Sequence, residues 1–502
     1  MWLSKKDLKK LENAEAAAFR SPVPTQMVSN GEYMPLAQTK QQREVEARIK
    51  TKAEALGKKF GMGRRRFLQT SCGMAAAFIA MNEVYGPFFH IDPVEAADPA
   101  AARERAKGMA REFIFDDQTH HVRSSYTWDR ILFLTKFAQG HNPQQKTWNP
   151  KLGTQPPSLE QLKFDAYVKD IFLDSDTTIA VLSGFTSEAK ENEALTSDEI
   201  VQSRNLINRL AGSRRVLAHG LFWPGYPGNL EEMDRAATQL RVDSWKGYTV
   251  GDPLAYSQYA WRMDDEKVAY PAWAKAEKYG IRNICIHKGL LPADYKTFKN
   301  WEFANVDDLG KAAKDWPQLN FIIYHAALRP LLDATTGAEE FKKTGRIPWI
   351  TDLAEIPEKY GVKNVYAEVG TTFASTVITF PELAAAILGQ LIKGMGTDHV
   401  VWGTDSIWYG SPQWQIEAFR RFEIPQEMRK KYGFAPLGPA TGRVKRLIFG
   451  LNSAKLYNID PAAKRNPVPQ DFKDKLAKMK AEYQEEGPKP SHMYYGWIRK
   501  RA

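Results

Sequence analysis

A chain of 502 residues with 43% hydrophobic and 26% charged side chains has material for one large core with extensions. Its net charge of +11 divides into +5 over residues 1–97 and +6 over the remainder. No dense basic stripe or recognition motif accompanies that charge, which excludes nucleic acid as a partner. Two cysteines, Cys72 and Cys285, exclude a disulfide scaffold.

In chain order, the first distinctive element is Arg64-Arg65-Arg66-Phe67-Leu68-Gln69, followed by the mildly apolar Thr70–Met81. That stretch is too short for a membrane-spanning helix, which needs about 20 residues, and suits the middle region of an export signal. The paired arginines ahead of Phe-Leu resemble a twin-arginine signal, and Val94-Glu95-Ala96-Ala97 offers a small-residue cleavage site. The resemblance implies the twin-arginine export machinery as a partner and a periplasmic location. The motif's position, far from residue 1, departs from the usual pattern. The alternative is a basic helix start and a small-residue helix packed on a cytoplasmic protein. Residues 1–97 are assigned as a leader carrying the twin-arginine-like signal, 98–457 as the main domain and 458–502 as a basic C-terminal extension.

From residue 111 onward, short apolar runs alternate with amphipathic stretches, the pattern of parallel βα units. The predicted strands are Glu112–Asp116, Thr177–Ser183, Arg215–Leu221, Trp245–Val250, Arg282–Ile286, Asn320–Tyr324, Asn364–Val369 and His399–Gly403. Eight such units predict an α/β fold, a (β/α)8 TIM barrel with an N-terminal leader and a C-terminal extension.

Functional groups of such a barrel gather where strands end. The first run leads into Asp116-Asp117-Gln118-Thr119-His120-His121, the fifth into His287-Lys288, the sixth into His325 and the eighth into Gly403-Thr404-Asp405. This set is similar to the metal-dependent amidohydrolase superfamily, in the amidohydrolase-2 branch that includes aminocarboxymuconate semialdehyde decarboxylase. The resemblance covers about residues 111–457. The family's first strand ends in Asp-x-His-x-His, and here Gln118 stands where the first of those His residues is expected. An amide oxygen is a weaker and harder ligand than imidazole.

The resemblance implies one divalent ion, zinc or alternatively manganese, held by Gln118, His120, His287 and Asp405. A metal-free site is the other reading of Gln118. Asp405 would also take the proton from an activated water, and His325 would act as the second imidazole in acid–base chemistry. Lys288 and Arg329 are candidates for clamping a substrate carboxylate. Trp408, with Trp223, Trp261 and Tyr409, is a candidate for stacking on a ring. Glu368 is a candidate pocket carboxylate or partner of Lys288.

The resulting expectation is a metal-dependent hydrolase acting on a small cyclic or carboxylated substrate. The alternatives are a non-oxidative decarboxylase of the same family and a metal-free exported barrel acting as a binding or accessory protein. A homo-oligomer is compatible with either.

Overall fold

The computed structural model describes residues 3–4, 6–7, 21–27, 29–33, 36–109, 112–139, 157–291, 299–329, 334–408, 410–462 and 475–485. Tyr409, much of the loop expected between residues 135 and 157, and the aromatic C-terminal tail lie outside them.

Eight parallel strands stand in sequence order: β1 (Phe115–His120), β2 (Ile179–Ser183), β3 (Val216–Leu221), β4 (Ser244–Tyr248), β5 (Asn283–His287), β6 (Asn320–Tyr324), β7 (Val365–Glu368) and β8 (Val400–Val401). Helices such as Ser197–Ala211, Tyr270–Lys278, Ile350–Tyr360 and Pro381–Met395 fill the connections. The architecture is the expected TIM barrel. β8 is short, and the seam with β1 closes through the loop behind it. Asp117 N donates to Trp402 O (2.9 Å), and Asp405 N donates to Gln118 O (2.9 Å).

Period-two alternation divides each strand between two layers. Ile284 and Ile286 join the main core against the helices, whereas Cys285 joins Ile322, Tyr324 and Val401 in a separate buried cluster. Phe115, Ile179, Val181 and Leu217 close the barrel floor around Tyr457, whose ring stacks on Phe115 at 5.2 Å.

Most strands begin one to three residues later than predicted, β1 by the most. Glu112–Ile114 stay outside β1, which runs on through Asp117, Gln118 and Thr119 to His120. These polar residues are tolerated in a buried strand because they bond to the site and the barrel seam. The pairing with β2 slips between Asp116 and Thr119. That irregularity lets Phe115 and, farther along the strand, Gln118 and His120 all face the barrel interior, which unbroken alternation would forbid.

The apolar stretch near the paired arginines forms the helix Ser71–Tyr85, capped by Thr70, which accepts from Gly73 N at 3.1 Å. Its residues Cys72, Ala75, Ala76 and Phe78 are buried. Phe78 meets Phe89 at 4.8 Å, and Phe89 meets Phe422 at 5.6 Å, which seats this region on the barrel. Arg64, Arg65 and Arg66 are exposed. No helix among the described residues is long and apolar enough to cross a membrane. In the C-terminal extension, the helix Lys475–Glu485 buries Leu476 and Tyr483, and Lys480 donates to Ser175 O.

Candidate active site

Five residues from four places in the barrel meet at one end of it. Gln118 Nε2 lies 3.3 Å from both His120 Nε2 and His325 Nε2. His325 Nε2 lies 3.1 Å from His287 Nδ1, and His120 Nε2 lies 3.0 Å from Asp405 Oδ1. All five are buried. His325 and Asp405 sit in the left-handed backbone region at φ 60° and 58°, a strain that buried surroundings must hold in place. Gly403 has to be glycine, because a Cβ there would fall 1.8 Å from Glu368 Oε1.

Backbone carbonyls set the histidine tautomers. His325 Nδ1–H donates to Gly370 O (2.9 Å), and His287 Nε2–H donates to Leu290 O (3.3 Å). The facing atoms, His325 Nε2 and His287 Nδ1, therefore both carry lone pairs. Burial lowers the His325 pKa to about 4 and holds His287 well below its ordinary value, so both rings are neutral at pH 7. Two lone pairs 3.1 Å apart repel unless a cation, or a donor such as the Gln118 amide nitrogen, lies beside them. The Gln118 carbonyl oxygen is buried without a hydrogen-bond partner. Exchanging that amide's oxygen and nitrogen would aim the oxygen at the imidazoles. This donor set fits a divalent ion.

Asp405 is the anionic member. Burial disfavours its charge, but His120, His325 and the Thr371 hydroxyl outweigh that and hold its pKa below the ordinary carboxylate range. Its Oδ2 accepts from Thr371 Oγ1 (2.6 Å) and from Asn30 Nδ2 (2.6 Å).

Asn30 belongs to a segment absent from the expected site. Residues 29–33 reach into the barrel mouth, and Glu32 brings its carboxylate to 3.6 Å from His287 Nδ1 and 3.9 Å from His325 Nε2. Burial, with Asp405 alongside, raises the Glu32 pKa well above its ordinary value. Glu32, His287 and His325 offer three ligand atoms within 4.8 Å of one another. Sequence reasoning had no signal for this contact, because the segment lies far ahead of β1. It also missed Lys246 on β4, where a Lys inside an apolar run was a usable signal. The Lys246 ammonium is buried over the rings of Tyr248 (4.4 Å) and Tyr324 (4.2 Å), and burial lowers its pKa to about 8.

The cavity beside these groups is lined by Glu32, His120, Phe185, Tyr248, Leu254 and Trp408, among others. Trp408 stacks on His120 at 5.3 Å, and Tyr248 stacks on His287 at 4.6 Å. Trp408 therefore stands where a stacking residue was expected.

Other expected positions are corrected. Lys288 is buried with its ammonium on Asp308 (2.7 and 2.9 Å) and Phe303 O (3.0 Å), a structural ion pair rather than a substrate clamp. Arg329 reaches Glu340 at 3.5 Å and does not line the cavity. Glu368 pairs with neither cation. It accepts from His325 N (3.1 Å) and Gly370 N, which fixes the chain behind β6 and β7. Trp223 and Trp261 are buried, their indole N–H groups donating to Tyr259 O and Tyr248 O (2.9 Å each). His121 is no correction: alternation along the strand directs it away from Gln118, and it turns away from the site, with Nδ1–H donating to Val122 O (3.0 Å) and Nε2 facing Ser203 Oγ (3.1 Å).

A first expected result concerns Gln118. Imidazole binds zinc more strongly than an amide oxygen does. Gln118→His should therefore tighten zinc binding by about tenfold or more, the scale at which changes around a metal are felt. Metal content after dialysis, counted per chain, checks this. An unchanged content would mean that residue 118 does not face the ion.

No curated protein matches the sequence. The solved structures to which the chain is similar, at low identity, include three of note. An uncharacterized TIM-barrel protein from Bordetella bronchiseptica is 14% identical, covering 69% of this chain and 98% of its own, with a TM-score of 0.44. A 5-carboxyvanillate decarboxylase from Sphingomonas paucimobilis is 14% identical over 69% and 99%, with a TM-score of 0.37. A probable 2-pyrone-4,6-dicarboxylic acid hydrolase from Acinetobacter baumannii is 10% identical over 69% and 99%, with a TM-score of 0.38. Residues 214–459, which hold β3–β8 and carry His287, His325 and Asp405, match the model of the amidohydrolase family.

Proposed function

We propose that the protein is a metal-dependent hydrolase of the amidohydrolase type acting on a small, ring-containing substrate. The observation that carries the reading is the pair of neutral imidazoles whose lone pairs face each other beside an ionised Asp405. His287 and His325, with Gln118, His120 and Asp405 around them, would hold the ion. Zinc suits the imidazoles, while manganese tolerates the oxygen donors better. When bound, the ion supplies Lewis acidity, which polarises a substrate carbonyl and makes water more acidic.

The chain's own groups do the rest. Asp405 accepts the proton of the attacking water, as an ionised carboxylate held in place by Thr371 and Asn30. His120 Nε2, 3.0 Å from Asp405 Oδ1, helps to hold that carboxylate in its ionised form. The faces of Trp408 and Tyr248 flank a planar substrate, and Phe185, Leu254 and Leu290 restrict water. With Lys288 and Arg329 engaged elsewhere, the cavity's described lining favours a ring over a multiply charged acid.

The test is turnover of lactones, cyclic amides and carboxylated phenols in ¹⁸O-labelled water, with chelator-stripped protein reloaded with zinc or manganese. The hydrolase reading expects metal-dependent product carrying one solvent oxygen. Release of CO₂ without that label would move the assignment to the decarboxylase. A protein that takes up no metal and turns over nothing would be a binding barrel.

A further inference from the structure

We propose that Glu32, on the segment ahead of the helical N-terminal region, is a ligand of the divalent ion and stands in for the imidazole that β1 lacks at Gln118. The inference rests on the metal-dependent reading above.

The contacts between Glu32 and the histidines are not hydrogen bonds. At 3.6 and 3.9 Å they lie beyond hydrogen-bond reach. They resemble separations between neighbouring ligand atoms around one ion, which bonds of about 2.1 Å place some 3–3.5 Å apart. The histidine nitrogens that face the carboxylate carry no hydrogen, since the opposite nitrogen of each ring already donates to a carbonyl. An ionised Glu32 carboxylate and the two ring lone pairs would repel one another, and a divalent ion where the three ligand atoms converge, within 4.8 Å of one another, would remove the conflict. The Lys246 ammonium rests on aromatic faces and makes no hydrogen bond to the carboxylate.

The segment is also held in place from both sides. Asn30 Nδ2 donates to Glu32 Oε2 and to Asp405 Oδ2 (2.6 Å each), so one amide fixes the separation between the two carboxylates. Thr135 Oγ1 holds Ser29 O at 3.2 Å. Gly31, at φ +102°, lets the backbone turn so that residues on both sides of it reach the site. At the β1 position itself, the Gln118 oxygen is buried and unpartnered, as expected where the usual imidazole is missing.

The test uses the full-length chain, stripped of metal and titrated with Zn²⁺ or Mn²⁺ against a chromophoric chelator. Glu32→Gln should weaken binding by about 100-fold, at or beyond the upper end of losses seen for groups that only support ligands. Glu32→His, which restores an imidazole, should recover most of that loss. The Mn²⁺ electron paramagnetic resonance spectrum should change in both variants. A Glu32→Gln protein with wild-type affinity, while the wild type binds metal, would overturn the ligand role alone. A wild type that binds no metal would overturn the hydrolase reading as well. Unchanged affinity with increased turnover in Glu32→Gln and Asn30→Ala would identify the segment as a plug, against the proposal. Should Glu32→Gln lower the metal-free melting temperature, Glu32→His decides. Its failure to recover affinity would reject ligation.

Discussion

Replacing Asp405 by Asn is expected to lower kcat/KM by about 10²–10⁴-fold, the span associated with a positioned acid–base group. The carboxylate is buried, anionic and oriented by Thr371 and Asn30, and it faces His120. An amide in its place keeps the shape and loses the basicity. His121→Ala is the comparison that gives the number meaning. His121 is adjacent in sequence to His120 and equally buried, but it bonds to Val122 and Ser203. Its truncation should cost stability and leave kcat/KM within a few-fold of wild type when assayed well below the melting temperature. Equal losses from both variants would mean that His121, and not His120, serves the site. Metal content measured alongside separates loss of the base from loss of the ion.

The second large effect concerns stability. At the end of the helix Gln413–Arg421, Glu417 bridges Arg420 (2.9 Å), Arg105 (3.3 Å) and Arg421. Arg420 also holds Glu112 (2.9 Å) and Asp176 (2.8 Å), and Arg421 holds Glu95. Both arginines are 1% exposed. Glu417→Gln removes the charge that three guanidinium groups share. It should cost about 1.5–3 kcal/mol, the range for buried hydrogen bonds to charged groups, because each arginine keeps another carboxylate, Glu112 and Asp176 for Arg420 and Glu95 for Arg105 and Arg421. Equilibrium denaturation at pH 7 measures it, and a loss below 1 kcal/mol would show the cluster to be energetically idle. Burial would raise the Glu417 pKa, but Arg421, Arg105 and Arg420 outweigh it and hold it well below its ordinary value. A carboxyl depressed in the folded state contributes stability that is present above its unfolded pKa and lost as pH falls through the folded one. The variant should therefore differ from wild type most at neutral pH and converge with it in acid. The same cluster ties Glu95 to the barrel. If Glu32 is a ligand as well, cleavage behind Ala97 would cost the protein both.

The barrel was legible in the sequence because each βα unit announces itself locally. Apolar runs such as Ile284-Cys285-Ile286 and Phe321-Ile322-Ile323 read as strands covered on both faces, and a helical stretch follows at the expected spacing. Once eight units are counted, geometry places the ends of all parallel strands at one face. His287, His325 and Asp405 could therefore be brought together without knowing any side-chain contact. β1 was harder, since its polar run carries no apolar alternation to mark its limits. The register slip between Asp116 and Thr119 depends on how the neighbouring strand pairs with it. Tertiary structure alone decided which charges serve the site. Lys288 and Arg329 follow the histidines closely in sequence, yet Asp308 and Glu340 are nearer in space and capture them. Glu32 and Asn30 entered the site from outside the predicted domain altogether. Local periodicity reports which face of an element is buried. It does not report which distant segment arrives to cover that face, because that depends on the packing of the whole chain.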